Sequence, residues 1–147
     1  MIPGKSTCPI VVLVMLAAPL AGATPGGAQA KTEKPNVSVK ATPAITFSPA
    51  NIFFVAEIRG GPDDHQDLYC PSVEWDWDDG TKDQSSIDCE PYEAGKSQIK
   101  RRYVAQHRYT FASDYRVQFR LKQRDRIVGH ATTQLKIRPG LRDTIGF

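Results

Sequence analysis

Sulfur and imidazole are scarce in this chain: 147 residues carry three cysteines, two methionines and three histidines. So few cysteines limit cross-linking to a single bridge. With imidazole restricted to His65, His107 and His130, no H-E-x-x-H, nucleophile-elbow or phosphate-loop motif is present. The common metalloprotease, α/β-hydrolase and nucleotide-hydrolysing classes are therefore absent from the sequence, and the expectation is a non-enzyme. Charge of one sign is not in excess either, at a formal +3, and no RNA- or DNA-binding motif appears, which argues against a nucleic-acid partner. No window sustains a 3.6-residue apolar period, so almost no helix is expected, and no internal repeat is visible.

One long apolar stretch exists, Ile10 to Ala21, interrupted only by Pro19. It is shorter than the roughly 20 residues a membrane span needs. Lys5 precedes it and Ala28-Gln29-Ala30 follows it, so residues 1–30 read as a secretory signal peptide. Cys8 lies before the apolar stretch, where it cannot serve as a lipid-anchor cysteine. Cleavage would leave 117 residues with 18 basic and 16 acidic side chains, a single domain without a stable membrane span. The expected location is secreted, periplasmic or cell-surface. Residues 31–41 are polar and read as a linker, residues 42–140 as the domain, and 141–147 as a C-terminal tail. Within the linker, Asn36-Val37-Ser38 is a glycosylation acceptor in a eukaryotic secretory pathway.

In an exported chain the remaining pair, Cys70 and Cys89, favours a disulfide. The two are placed symmetrically about Asp79-Gly80, a strong hairpin-turn signal, which brings them close in an ideal hairpin. From Pro43 onward, short strands alternate with turn residues. Ala44–Phe47, Ile52–Ile58, Val73–Asp78, Tyr115–Leu121 and Ile127–Ile137 are expected strands, and Ser97–Val104 is a weaker one. In Val73 to Asp78, Val73, Trp75 and Trp77 alternate with Glu74, Asp76 and Asp78, as on a strand with one buried and one wet face.

Two motifs stand out in this frame: Trp75-Asp76-Trp77-Asp78-Asp79-Gly80, and His107, Tyr109, Tyr115 and Val117 some 30 residues later. They resemble the W-D-F-G-D-G and H-x-Y-x-x-x-G-x-Y-x-V motifs of the polycystic-kidney-disease (PKD) repeat domain, over Thr42 to Arg138. The resemblance implies an all-β, immunoglobulin-like (PKD-type) two-sheet antiparallel β-sandwich of about seven strands. It also implies a non-catalytic binding or adhesion module with a protein or cell-surface glycan partner, here with no catalytic domain attached. Two family glycines are replaced, by Asp78 and Ser113.

Trp75 and Trp77 are expected in the core, whereas Tyr69, Tyr92 and Tyr103 are candidates for exposed rings. His107, beside Tyr109, is expected to pack and hydrogen-bond. The acidic run excludes an EF-hand, because placing Gly80 at the loop's glycine puts Trp75 at the first ligand position. Asp76, Asp78 and Asp79, or Asp63-Asp64, remain weak candidates for a calcium ion, which would support a calcium-dependent carbohydrate-binding module as the alternative function. No other cofactor is implied. Segment 57–93 holds twelve acids against two bases, and segment 94–147 thirteen bases against three acids. Pairing of Glu74 and Asp76 with Arg116, Arg120 and Lys122 on a neighbouring strand would neutralise much of this asymmetry.

Overall fold

The computed structural model describes residue 4 and residues 34–141. The segment read as a signal peptide and most of the C-terminal tail lie outside the described residues. Within them the chain forms eight strands: β1 (Asn36–Thr42), β2 (Ile45–Phe47), β3 (Ala50–Arg59), β4 (Ser72–Asp76), β5 (Lys82–Ser85), β6 (Arg102–Tyr109), β7 (Ser113–Gln123) and β8 (Arg126–Arg138). A single 3-10 turn, Gln66–Leu68, is the one helical element among the described residues.

The strands form two sheets, ordered β1-β3-β6 and β2-β8-β7-β4-β5. This is an immunoglobulin-like sandwich, and alternation explains which faces meet. On β3, Ile52, Phe54, Ala56 and Ile58 are buried while Asn51, Phe53 and Arg59 are exposed. On β7, Tyr115, Val117, Phe119 and Leu121 point inward. Phe54 lies 5.1 Å from Trp77 and 6.0 Å from Trp75, and Trp75 lies 4.5 Å from Phe119. Burying each large side chain contributes roughly 1.5–3 kcal/mol, so these aromatics dominate the core.

Four expectations are corrected. Residues 36–41 are not linker: they belong to β1, whose Val37, Val39 and Ala41 face the core and which pairs antiparallel with β3. The weak strand at Ser97–Val104 lies further on, as β6, where Tyr103, Ala105, His107 and Tyr109 form the inward row. The pairing is not wholly antiparallel, because β2 runs parallel to β8. After Thr42 the chain leaves β3 and continues onto the second sheet, along the free edge of β8. Both X-Pro bonds flanking β2, Thr42-Pro43 and Ser48-Pro49, are cis.

The fourth correction concerns the turn. Asp76 pairs with Lys82, so the β4–β5 connection is the five-residue loop Trp77 to Thr81, not a two-residue Asp79-Gly80 turn. Trp77 is fully buried, its indole N–H donates to Asp83 at 3.0 Å, and its backbone N–H closes the loop on the Thr81 carbonyl at 3.2 Å. Asp78 (φ 62°) and Gly80 (φ 88°) supply the left-handed backbone that the loop needs. Cys70 and Cys89 are disulfide-bonded with their Cα atoms 6.2 Å apart, beyond the end of the β4–β5 ladder.

Candidate functional site

Three assemblies hold the chemistry-bearing side chains. The first closes one end of the sandwich with the motif residues. Asp79 accepts hydrogen bonds from the Thr81 backbone N–H (3.0 Å) and hydroxyl (2.5 Å), and its other oxygen lies 2.7 Å from His107 Nε2. His107 stacks on Trp77 at 4.5 Å and meets Tyr109 edge-on at 4.8 Å. The buried Tyr109 hydroxyl donates to the Trp77 carbonyl (3.0 Å), and that of Tyr115 to the Phe111 carbonyl (2.9 Å). Burial works against the Asp79 carboxylate, but the bonds from Thr81 and His107 outweigh it and hold its pKa below the ordinary value. Burial, and then the nearby Asp79, raise the pKa of Tyr109 and of Tyr115. Val117, fully buried, extends the same floor. The sequence motifs thus meet in one place, as a structural lock.

The second assembly is the acidic row. Glu74 is held by Lys122 and by Arg120 (2.5 Å), and these bonds lower its pKa. Asp76 pairs with Lys82 at 2.8 Å, which lowers its pKa against the opposing effect of burial, with Arg120 at 3.8 Å. Asp78 is turned out of the row by its left-handed backbone and accepts the Arg116 backbone N–H at 2.8 Å. The neutralising cations are therefore Arg120, Lys122 and Lys82, while Arg116 contributes its main chain. Asp63 pairs with Arg101 at 2.7 Å, and an Asp64 oxygen accepts the Gly95 N–H at 3.1 Å. Among the described residues, no group of three or more His, Cys, Asp or Glu is placed to hold a metal ion.

The third assembly is unpaired surface. On the outer face of the β1-β3-β6 sheet, Phe53 and Val104 are 52% and 63% exposed, and Val55 pairs directly with Val104. Lys40 neighbours Val55 on β1, Arg102 and Arg108 flank Val104 along β6, and Arg59 ends β3. Glu57 is the one acid on this face, and it pairs with Arg59 at 2.9 Å. An apolar centre ringed by cations results.

No family model matches the chain, and no curated protein matches it. Solved structures do resemble it in shape. The PKD domain of an M14-like peptidase from Thermoplasmatales archaeon SCGC AB-540-F20 is 13% identical, with 72% of this chain and 96% of that domain covered at a TM-score of 0.49. The CARDB domain of a Pyrococcus furiosus protein, solved in complex with di-metal ions, is 13% identical, covering 70% and 91% at a TM-score of 0.42. Its solution structure is 16% identical, covering 70% and 93% at 0.41.

Of the three tyrosines expected to be exposed, none is free. The hydroxyls of Tyr69 and Tyr92 donate to the carbonyls of Glu90 (3.0 Å) and Asp64 (2.6 Å), which fasten the long 86–101 segment to the domain. Tyr103 is buried at 6% exposure and lies 5.5 Å from Phe119. Sequence reasoning placed it in a poorly patterned segment because Lys100-Arg101-Arg102 hides the start of β6. The outer-face patch was also missed: Phe53 and Val55 lie inside the apolar run Ile52 to Ala56, where the outward members of the alternation look like core.

Proposed function

We propose that this protein is an exported, non-catalytic binding module that docks an acidic protein partner on the outer face of its β1-β3-β6 sheet. The observation that carries the reading is the apolar centre of exposed Phe53 and Val104 with half-buried Val55, within Lys40, Arg102 and Arg108. Apolar anchors surrounded by charge of one sign suit a partner that brings an apolar knob within an acidic rim. His107, the Asp79 beside it and Glu74, the best-buried acid on β4, are committed to structural pairings, Asp79–His107 and Glu74–Arg120. The Cys70–Cys89 bridge supports an oxidising compartment, in keeping with export.

The test compares the full chain with Phe53→Asp and with the double variant Arg102→Glu/Arg108→Glu in co-purification from the native source. The wild type should retain a protein at constant stoichiometry that raised salt releases. Both variants should lose it while remaining folded by circular dichroism at the assay temperature, since the altered side chains are exposed. Retention that survives both sets of substitutions would sink the reading.

A further inference from the structure

One edge of the docking sheet is unpaired. In the order β1-β3-β6, β6 is an outer strand, and its eight residues contain no proline and hold one register with β3 throughout. The Ile58 N–H donates to the Arg101 carbonyl at 2.8 Å, which sets the phase of the ladder. Hydrogen-bonded pairs then recur at every second residue, so Tyr103, Ala105, His107 and Tyr109 turn their main-chain groups toward β3. Arg102, Val104, Gln106 and Arg108 turn theirs to the free edge, and no other hydrogen bond reaches those groups among the described residues. The side chains of the same four residues are exposed on the outer face. Val104 remains 63% exposed beside the 86–101 segment, so that segment does not cover the edge. The other edges offer less. β2 and β5 have only three and four residues, and β1 packs on β8 where Val37 meets Gly129.

An edge of this length with free N–H and C=O groups is a template for another strand. Its side chains select which one. The outward row reads Arg102, Val104, Gln106, Arg108, with a cation at each end and an apolar group between them. A second copy of the chain fits poorly. Antiparallel self-pairing centred on Ala105 would set Arg102 opposite Arg108 at both ends, and like charges directly opposite are unfavourable. An extended segment with an acid at each end and β-branched apolar residues between is the complement. We propose that the acidic partner adds such a strand antiparallel to β6. Main-chain bonds to Arg102, Val104, Gln106 and Arg108 hold it, and the two arginines select its acids. This mode rests on the docking reading above and adds the partner's backbone conformation to its charge.

The probe is the synthetic peptide acetyl-Glu-Thr-Val-Thr-Val-Thr-Glu-amide, titrated into the isotope-labelled full chain while amide hydrogen exchange is followed by NMR. Without peptide, the N–H groups of Val104, Gln106 and Arg108 should exchange fast and those of Tyr103, Ala105 and His107 slowly. Peptide at about tenfold above its dissociation constant should slow the first set about tenfold. In antiparallel register the two valine nitrogens of the peptide face β6 and the threonine nitrogens face away. Methylating both valine nitrogens should weaken binding about tenfold or more, by the loss of two hydrogen bonds. Methylating the threonine nitrogens should change affinity by less than about threefold, because no bond is lost. Replacing both glutamates by glutamine, or using Arg102→Glu/Arg108→Glu, should weaken it about threefold or more, as two cross-strand charge pairs disappear. Three outcomes would overturn strand addition: edge amides already protected in the free chain; no protection up to about 10 mM peptide, where affinity is negligible; or equal losses from the two sets of methyl groups. Edge amides left unprotected by a native partner whose retention still needs Phe53 and the arginines would also overturn it, while leaving the docking reading in place.

Discussion

At Asp78 the backbone sits at φ 62°, in the left-handed region where the resembled motif has glycine. Asp and Asn are the side-chain-bearing residues that tolerate this region best, and here the carboxylate is also used, accepting the Arg116 N–H. Ser113, the second glycine replacement, opens β7 without a positive φ, so nothing at that position requires glycine. A close approach fixes Gly140 instead: a Cβ there would lie 1.9 Å from the Ser48 carbonyl oxygen. Trp75 is 5% exposed, with its ring parallel to Trp77 at 5.3 Å and packed on Phe54 and Phe119. Trp75→Ala should lower unfolding free energy by about 3–5 kcal/mol, measured by denaturant titration, because a large cavity would open in a well-packed core. An unchanged midpoint would show that the ring contributes no core packing.

Strands whose two faces differ in polarity were legible in the sequence. β4, β7 and much of β8 alternate apolar and polar side chains, β3 reads as an apolar run, and the expected positions agree with the observed ones to within a few residues. β1 carried the same signal in Val37, Val39 and Ala41, but small side chains amid Asn, Ser and Lys made it read as linker. β5, Lys-Asp-Gln-Ser, has no apolar side chain and is exposed throughout, so its pairing with β4 is its only reason to be a strand. Of the candidate site, the core role of the tryptophans and the disulfide could be read in advance. The basic outer face could not, because it arises from residues far apart in sequence.

The β4–β7 pair carries a pH dependence of its own. The pKa of Glu74 is lowered by Lys122 and Arg120, and that of Asp76 by Lys82. A carboxylate whose folded pKa is depressed contributes stability that is full above its unfolded value, about 4, and lost as pH falls through the lower folded value. Melting temperature should therefore decline as pH falls below about 4.5, with Glu74→Gln less stable than wild type at neutral pH and declining less steeply. Parallel curves for the two proteins would show that the Glu74 pairing adds nothing.

Across the whole molecule the acidic first half and the basic second half largely meet each other. Asp63 pairs with Arg101, Asp67 with Arg126, Glu74 with Arg120 and Lys122, and Asp79 with His107. The basic outer face of β1-β3-β6 is what this pairing leaves over. The same pairing weighs against calcium. Every carboxylate proposed as a ligand already has a partner, since Asp76 holds Lys82, Asp78 accepts the Arg116 N–H, and Asp79 holds Thr81 and His107. A cation would have to displace these bonds and gather side chains that the loop points apart. Millimolar calcium should therefore leave the melting temperature unchanged in differential scanning calorimetry. A ligand that binds only the folded state raises stability by about 2.7 kcal/mol at a hundredfold excess over its dissociation constant, well within detection. A saturable rise with calcium, abolished by Asp76→Asn or Asp78→Asn, would overturn this expectation and install the calcium-dependent carbohydrate-binding alternative.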